Sequence, residues 1–327
     1  MNRLVLVFIF LLLMSACGSG DSFLEELENA GVVDSIRVNP YTPIDSAGKQ
    51  SSDTIRISND SISNDKDSTK VNDSLSVTSH SEIEFTRLFT IKSKSTKSTQ
   101  GLAIYGDELF NFHDTNDVID VYNMKTCKAI ASIKLEPGPN VHCNTISFSN
   151  KFYSNEDKYP LIYAQQAGEQ NKVNVYRIIC KDSILKAEMV QMISFTPCTH
   201  SLTAIDKEKE QLCIIYSNKG RYISLTSIPN FTGGDTTIDL RRTEKTYTIH
   251  IPKVVQDTAF DNNCLYFICG YRNEGELWKI NLQTKTAQII DLTKYGLTAE
   301  PEGLDVYNGS IIVSFFNNTV YSLRLVH

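Results

Sequence analysis

From residue 84 onward, apolar positions come in runs of five to eight, separated by polar clusters and without any sustained helical period. Short runs of this kind, rich in Val, Ile, Tyr and Phe, predict β-strands, and their recurrence predicts an all-β domain. Aligning the first run of each group exposes a repeat: Gln100-Gly101-Leu102-Ala103-Ile104, His142-Cys143-Asn144-Thr145-Ile146, Ser201-Leu202-Thr203-Ala204-Ile205, Gln256-Asp257-Thr258-Ala259-Phe260 and Glu302-Gly303-Leu304-Asp305-Val306. The starts lie 42, 59, 55 and 46 residues apart. Units of this length with four strands each predict a β-propeller. The fifth unit stops after three strands, so its fourth is expected from residues 85–91, the first strand of the domain. That arrangement closes the ring and leaves no free edge. Five blades result, or six if the longer units hide a further strand pair.

The upstream text is of another kind. Behind Arg3, residues 4–14 are continuously apolar, too short for a bilayer core of roughly 30 Å and the right length for the hydrophobic stretch of a signal peptide. The run ends in Leu13-Met14-Ser15-Ala16-Cys17, which resembles the bacterial lipobox. The resemblance implies removal of residues 1–16, acylation of Cys17, and an exported protein anchored in a membrane, expected to be the outer membrane with a periplasmic or surface orientation. Residues 17–83 then read as a tether. Within it, residues 22–30 predict one short helix, with Phe23, Leu24 and Leu27 on a shared face and Gly31 as its stop. Residues 42–81 hold 24 Ser, Thr, Asn and Asp in 40 positions, a composition that cannot bury enough apolar surface to offset chain ordering and is expected to be disordered. A triplet of Asp, then Ser or Thr, then an apolar or small residue recurs there, from Asp34-Ser35-Ile36 to Asp73-Ser74-Leu75. It resembles an O-glycosylation acceptor of exported proteins, and a Ser- and Asp-rich stretch also generates such triplets freely.

Composition narrows the function. The 327-residue chain is 41% hydrophobic with a net charge of -6, which excludes the basic surplus of a nucleic-acid binder. No nucleophile elbow, phosphate-cradling loop or His-Glu-x-x-His occurs. Seven cysteines follow Cys17, an odd number with no Cys-x-x-Cys; Cys180, Cys213, Cys264 and Cys269 fall in apolar strands and are expected to be buried thiols.

The segments Gln100-Gly101-Leu102-Ala103-Ile104-Tyr105, Val121-Tyr122-Asn123 and Glu300-Pro301-Glu302-Gly303-Leu304-Asp305 together resemble exported propeller lipoproteins described as TolB-like or NHL-like. The last segment is also similar to five-bladed propellers of the SdiA-regulated type. The resemblance covers residues 84–327 and implies a fold and an exported setting, with no reaction attached.

Equivalent positions of the innermost strands converge on a propeller's central channel. The first aligned position gives Gln100, His142, Ser201, Gln256 and Glu302, and Asn144, His200, Asp257 and Glu300 stand nearby. Such a ring suits a small polar ligand, and a wet channel mouth alone would also favour polar residues there. No metal is assigned outright; Asp257, Glu300 and Glu302 form the set calcium would accept, since it prefers six to eight oxygen ligands. Tyr153, Tyr159 and Phe231 in turns are candidates for stacking on a ligand. The expectation is a lipid-anchored envelope propeller that binds a partner protein or a small polar ligand at the channel mouth, more a binding module than an enzyme. The alternative is a calcium-dependent propeller hydrolase or lactonase. A third reading makes residues 149–172 and 227–244, the long insertions, a contact surface for an envelope complex.

Overall fold

The computed structural model describes residues 76–78, 82–92, 98–113, 118–136, 143–166, 171–181, 184–218 and 221–326. The chain divides into two units, residues 1–53 and 54–327. The first unit, with Cys17, the signal segment and the 22–30 helix, lies outside the described residues, and so does the tether before residue 76.

Strand β1 (Ser76–Thr78) precedes β2 (Glu82–Thr90). The first sheet is a meander of β3 (Thr99–Tyr105), β4 (Glu108–His113), β5 (Val118–Asn123) and β6 (Lys128–Glu136). The second holds β7 (Cys143–Phe148), β8 (Ile162–Gln166), β9 (Lys172–Lys181) and β10 (Ile184–Thr196). In the third region come β11 (His200–Asp206), β12 (Gln211–Ser217), β13 (Arg221–Ser227), β14 (Thr236–Asp239) and β15 (Lys245–Thr248), of which β14 leaves the sheet. The fourth sheet is β16 (Val255–Asp261), β17 (Cys264–Cys269), β18 (Glu276–Asn281) and β19 (Thr286–Asp291). The fifth is β20 (Pro301–Tyr307), β21 (Ser310–Phe315) and β22 (Thr319–Val326), completed by β2, which runs antiparallel to β22 from Glu82 opposite Val326 to Thr90 opposite Thr319. The folded part therefore starts slightly before residue 84. Val77, between two β-compatible hydroxyl residues, pairs with Ala287 of β19.

Local chemistry places the strand ends. Asn262 and Asn263 both take positive φ, 48° and 62°, as a two-residue hairpin between β16 and β17 requires. Asn123 Oδ1 accepts from the Lys125 and Thr126 amides, and Asn281 Oδ1 from those of Gln283 and Thr284. These side chains stand in for a turn's own backbone bonds between third and fourth strands.

Packing turns five sheets into a ring. Apolar side chains form five clusters, one at each joint between neighbouring sheets. Phe110 and Ile119 meet Phe148 and Tyr176 between the first and second; Val175 and Phe195 meet Leu212 and Ile214 between the second and third. Ile223 and Tyr247 meet Phe267 and Trp278 between the third and fourth, and Ile268 and Leu277 meet Val313 and Phe315 between the fourth and fifth. Leu102 and Leu109 meet Ile312 and Val320, which joins the fifth sheet back to the first. Because each sheet is covered on both faces, strands such as Cys264–Cys269 are buried along their whole length and show no alternation. The fold is a β-propeller, with the first strand of each sheet innermost.

At the outer rim, hydrogen-bonded ladders link some neighbours directly. β6 pairs in parallel with β10, and β10 in turn with β14, Ile193 opposite Thr236. The insertion 227–244, expected at a partner contact, is thus folded back onto the second sheet. Tyr153 stacks near Phe231 at 5.3 Å, and Tyr159 is buried with its hydroxyl donating to Glu108 Oε2 at 2.7 Å. Cys213, Cys264 and Cys269 are buried free thiols as expected; Cys180, beside the hairpin end of β9, is exposed, and Cys143 is buried.

Candidate functional site

The inner strands all begin at one end of the propeller, termed here the leading end. In four of the five, pairing with the second strand slips by one residue near the start: between Thr99 and Leu102, Cys143 and Thr145, Val255 and Asp257, and Pro301 and Gly303. β11 pairs without a slip, Ser201 opposite Tyr216. A bulge inserts one residue and re-aims its neighbours. The slips include Gln100, Asn144, Gln256 and Glu302, and Ser201 stands near the start of the unslipped β11. His142 lies outside the described residues. The side chains of Gln100, Ser201 and Glu302 are buried, whereas Asn144 and Gln256 are half-buried. Gln165 Nε2 donates to Ser201 Oγ at 2.8 Å, and Gln256 Nε2 donates to Glu300 Oε1 at 2.8 Å.

Beneath this ring the axis is plugged. Asp257 is 0% exposed, and its Oδ2 accepts the Leu304 amide at 2.7 Å and the Leu102 amide at 3.2 Å, while Oδ1 accepts the Thr258 amide at 2.7 Å. One carboxylate thereby joins three inner strands, β16, β20 and β3. Inner edges carry amides with no ladder partner, and buried amides need an acceptor. Two glycines make room. A Cβ on Gly303 would sit 2.7 Å from both Gln100 O and Leu102 Cβ, and one on Gly101 would sit 3.0 Å from Asn144 O. The glycines of the Gln-Gly and Glu-Gly motifs therefore serve close approach of neighbouring inner strands. Asp305 repeats the device further along: its Oδ2 accepts the Ile104 amide at 2.5 Å and Oδ1 the Val306 amide at 2.8 Å. Burial pushes the Asp257 carboxyl well above its ordinary value, against the pull of its three amides, and burial likewise raises Asp305. Asp257 and Asp305 thus tie neighbouring inner strands to one another.

Beside this ring stand loops of the fourth and fifth sheets, joined by the Gln256–Glu300 bond. Glu300, before β20, is held by the Phe316 amide on its carbonyl at 2.8 Å, and Val254, before β16, by the Gly270 amide at 2.9 Å. Val254, Tyr271 and Phe316 are exposed large apolar side chains, Tyr271 by 50%. Burial raises the Tyr271 phenol, with the Glu300 and Glu274 charges adding to it. Burial also raises Glu300, and the Gln256 amide opposes it by bonding the ionised form. Gln256→Leu removes that donor, so the Glu300 carboxyl is expected to titrate higher still, read by carbon NMR of the labelled side chain; an unchanged or lower value would mean the bond is absent in solution. One sheet further round, half-buried Arg221 donates to Lys253 O at 2.8 Å, and among the described residues no carboxylate pairs with it.

Of the acidic set considered for calcium, Asp257 is engaged with main-chain amides and Glu300 with Gln256. Among the described residues, no three His, Cys, Asp or Glu side chains gather as a metal-binding group. His200 is exposed at the start of β11. Sequence reasoning missed Asp305, Tyr271 and Phe316. The repeated glycine after the ring position was visible, and it pointed to a neighbour's approach.

No family model matches the sequence, and no curated protein matches it. Among solved structures, the chain is similar to the PQQ-bound aldose sugar dehydrogenase of Streptomyces coelicolor (12% identity, TM-score 0.46, covering 76% of this chain and 100% of that one). It is similar also to virginiamycin B lyase of Staphylococcus aureus (10%, 0.42, covering 75% and 100%) and to the β-propeller domain of Cps50 (Swd1) from Myceliophteria thermophila (10%, 0.45, covering 74% and 100%). These likenesses concern the β-propeller architecture and go no further.

Proposed function

We propose that this chain is an exported, lipid-anchored β-propeller that works as a binding module, taking a small polar ligand at its leading end. The observation that carries the reading is the half-buried Gln256–Glu300 pair, with exposed Tyr271 and Phe316 in adjoining turns. Amide and carboxylate groups select polar hydrogen-bonding partners, and exposed aromatic faces cover the apolar side of such a ligand. The state of Asp257 supports binding over the calcium-dependent hydrolase, because a fully buried carboxylate already accepting three main-chain amides is poorly placed to take a cation or a substrate proton. The anchor at Cys17 rests on the lipobox resemblance and sets where the site works.

Thermal melting of the full chain against neutral mono- and disaccharides, free amino acids and dipeptides tests this. At least one compound is expected to raise Tm, with the rise lost in Tyr271→Ala and Glu300→Gln; calcium chloride alone is expected to leave Tm unchanged. A panel without any shift overturns the reading. A calcium-dependent rise abolished by Glu302→Gln would instead establish the metal-dependent alternative.

A further inference from the structure

A concavity opens at the opposite end of the propeller, between the third and fourth sheets. It encloses about 590 Å³, within the range of roughly 300–1,000 Å³ usual for small-molecule sites. Its position follows from its walls: Lys209 and Asn263 belong to turns that leave inner strands, Gln283 to the turn between β18 and β19, and Lys245 to the start of β15. Leu225 and Leu282, both largely buried, and Phe260 add a smaller apolar area to a mostly polar lining.

The polar groups on the walls are not equally committed. Glu244 is consumed locally, its Oε1 accepting from the Ser227 amide and hydroxyl and its Oε2 from Gln211 Nε2 at 2.7 Å. Lys209 reaches across the cleft to Asn263 Oδ1, with Asp206 at 3.7 Å as a weak counter-charge. Lys245 lies 4.8 Å from the Tyr247 ring centroid, and among the described residues no carboxylate forms an ion pair with it. The Tyr247 hydroxyl is itself tied to Leu282 O at 3.1 Å. What remains free is the Lys245 ammonium, the Gln283 amide and the Asn263 amide nitrogen.

We infer that this cleft binds an acidic sugar, a pyranose bearing a carboxylate. An unpaired ammonium flanked by amide donors selects a carboxylate. Amides, which both donate and accept, match ring hydroxyls. The smaller apolar area at Phe260 suits the C–H edge of a pyranose, and the volume admits more than one ring. A simple aliphatic acid would leave the amides idle, and a neutral sugar would leave Lys245 without a counter-charge. This site is independent of the leading-end site and stands or falls separately.

Isothermal titration of the full chain with digalacturonate, and with the neutral disaccharide lactose, tests the assignment. Digalacturonate is expected to bind at least tenfold more tightly than lactose, and Lys245→Met to weaken it at least tenfold without lowering Tm, the residue being exposed. Arg221→Met, at the leading end, is expected to leave this affinity unchanged. Absence of binding, equal binding of the two sugars, or loss through Arg221→Met in place of Lys245→Met would each overturn it.

Discussion

Removing residues 82–91 is expected to abolish cooperative folding, while trimming the chain ahead of Ser76 is expected to leave Tm unchanged. The removed segment contributes Ile83 and Ile91, 6% and 2% exposed, each worth roughly 1.5–3 kcal/mol of burial. It also forms a ladder along β22 in which eight residues of β2 find a partner, each bond worth about 0.5–1.5 kcal/mol net. The combined loss is on the order of 10 kcal/mol, comparable with the 5–15 kcal/mol that holds a typical domain together. The Phe85 ring, 6.2 Å from both Tyr295 and Tyr321, would go as well. Circular dichroism during heating reads the outcome. A sharp transition within a few degrees of the intact chain would show that the ring does not depend on its closing strand.

Asp257→Ala is expected to lower Tm by roughly 10–20 °C. Three amides lose their acceptor, two of them on other sheets, and each orphaned buried donor costs about 1–3 kcal/mol. A domain of this size loses about 2–4 °C per kcal/mol. Hydrogen exchange offers the sharper reading: the Leu102 and Leu304 amides should be protected in the parent chain and exchange rapidly in the variant. Asp257→Asn, which keeps one oxygen acceptor, should fall between. Unaltered protection of Leu102 and Leu304 in Asp257→Ala would mean that the carboxylate does not tie the three strands.

The propeller was legible because its repeat is carried by apolar runs that every sheet must present to two neighbours, and because the missing fourth strand of the last unit pointed to the first strand of the domain. The closing pair of β2 and β22 follows from that arithmetic. The ring positions were legible only in part. Asn144, Gln256 and Glu302 fall at slips in strand pairing that an alignment of letters does not display. Asp257 looked like a channel-side ligand because nothing adjacent to it in sequence reveals its partners; its role depends on Gly303 and on backbone amides of β3, over 40 and over 150 residues away. Tyr159 looked like a turn aromatic for the same reason, since Phe110 and Glu108, which bury and bond it, belong to another unit. Tyr271 and Phe316 gained interest only once their turns were seen to flank Glu300.

The parallel pairings β6 with β10 and β10 with β14 divide the circle mechanically. Three consecutive sheets are sewn together along their circumference, and β1, laid against β19 just ahead of β2, ties the fourth sheet to the fifth. Among the described residues no strand ladder crosses the joint of the third sheet with the fourth or of the fifth with the first. Gln256, Glu300, Tyr271 and Phe316 stand at the braced fourth–fifth joint, so a guest there would meet a wall fixed in advance and not one that must part to admit it.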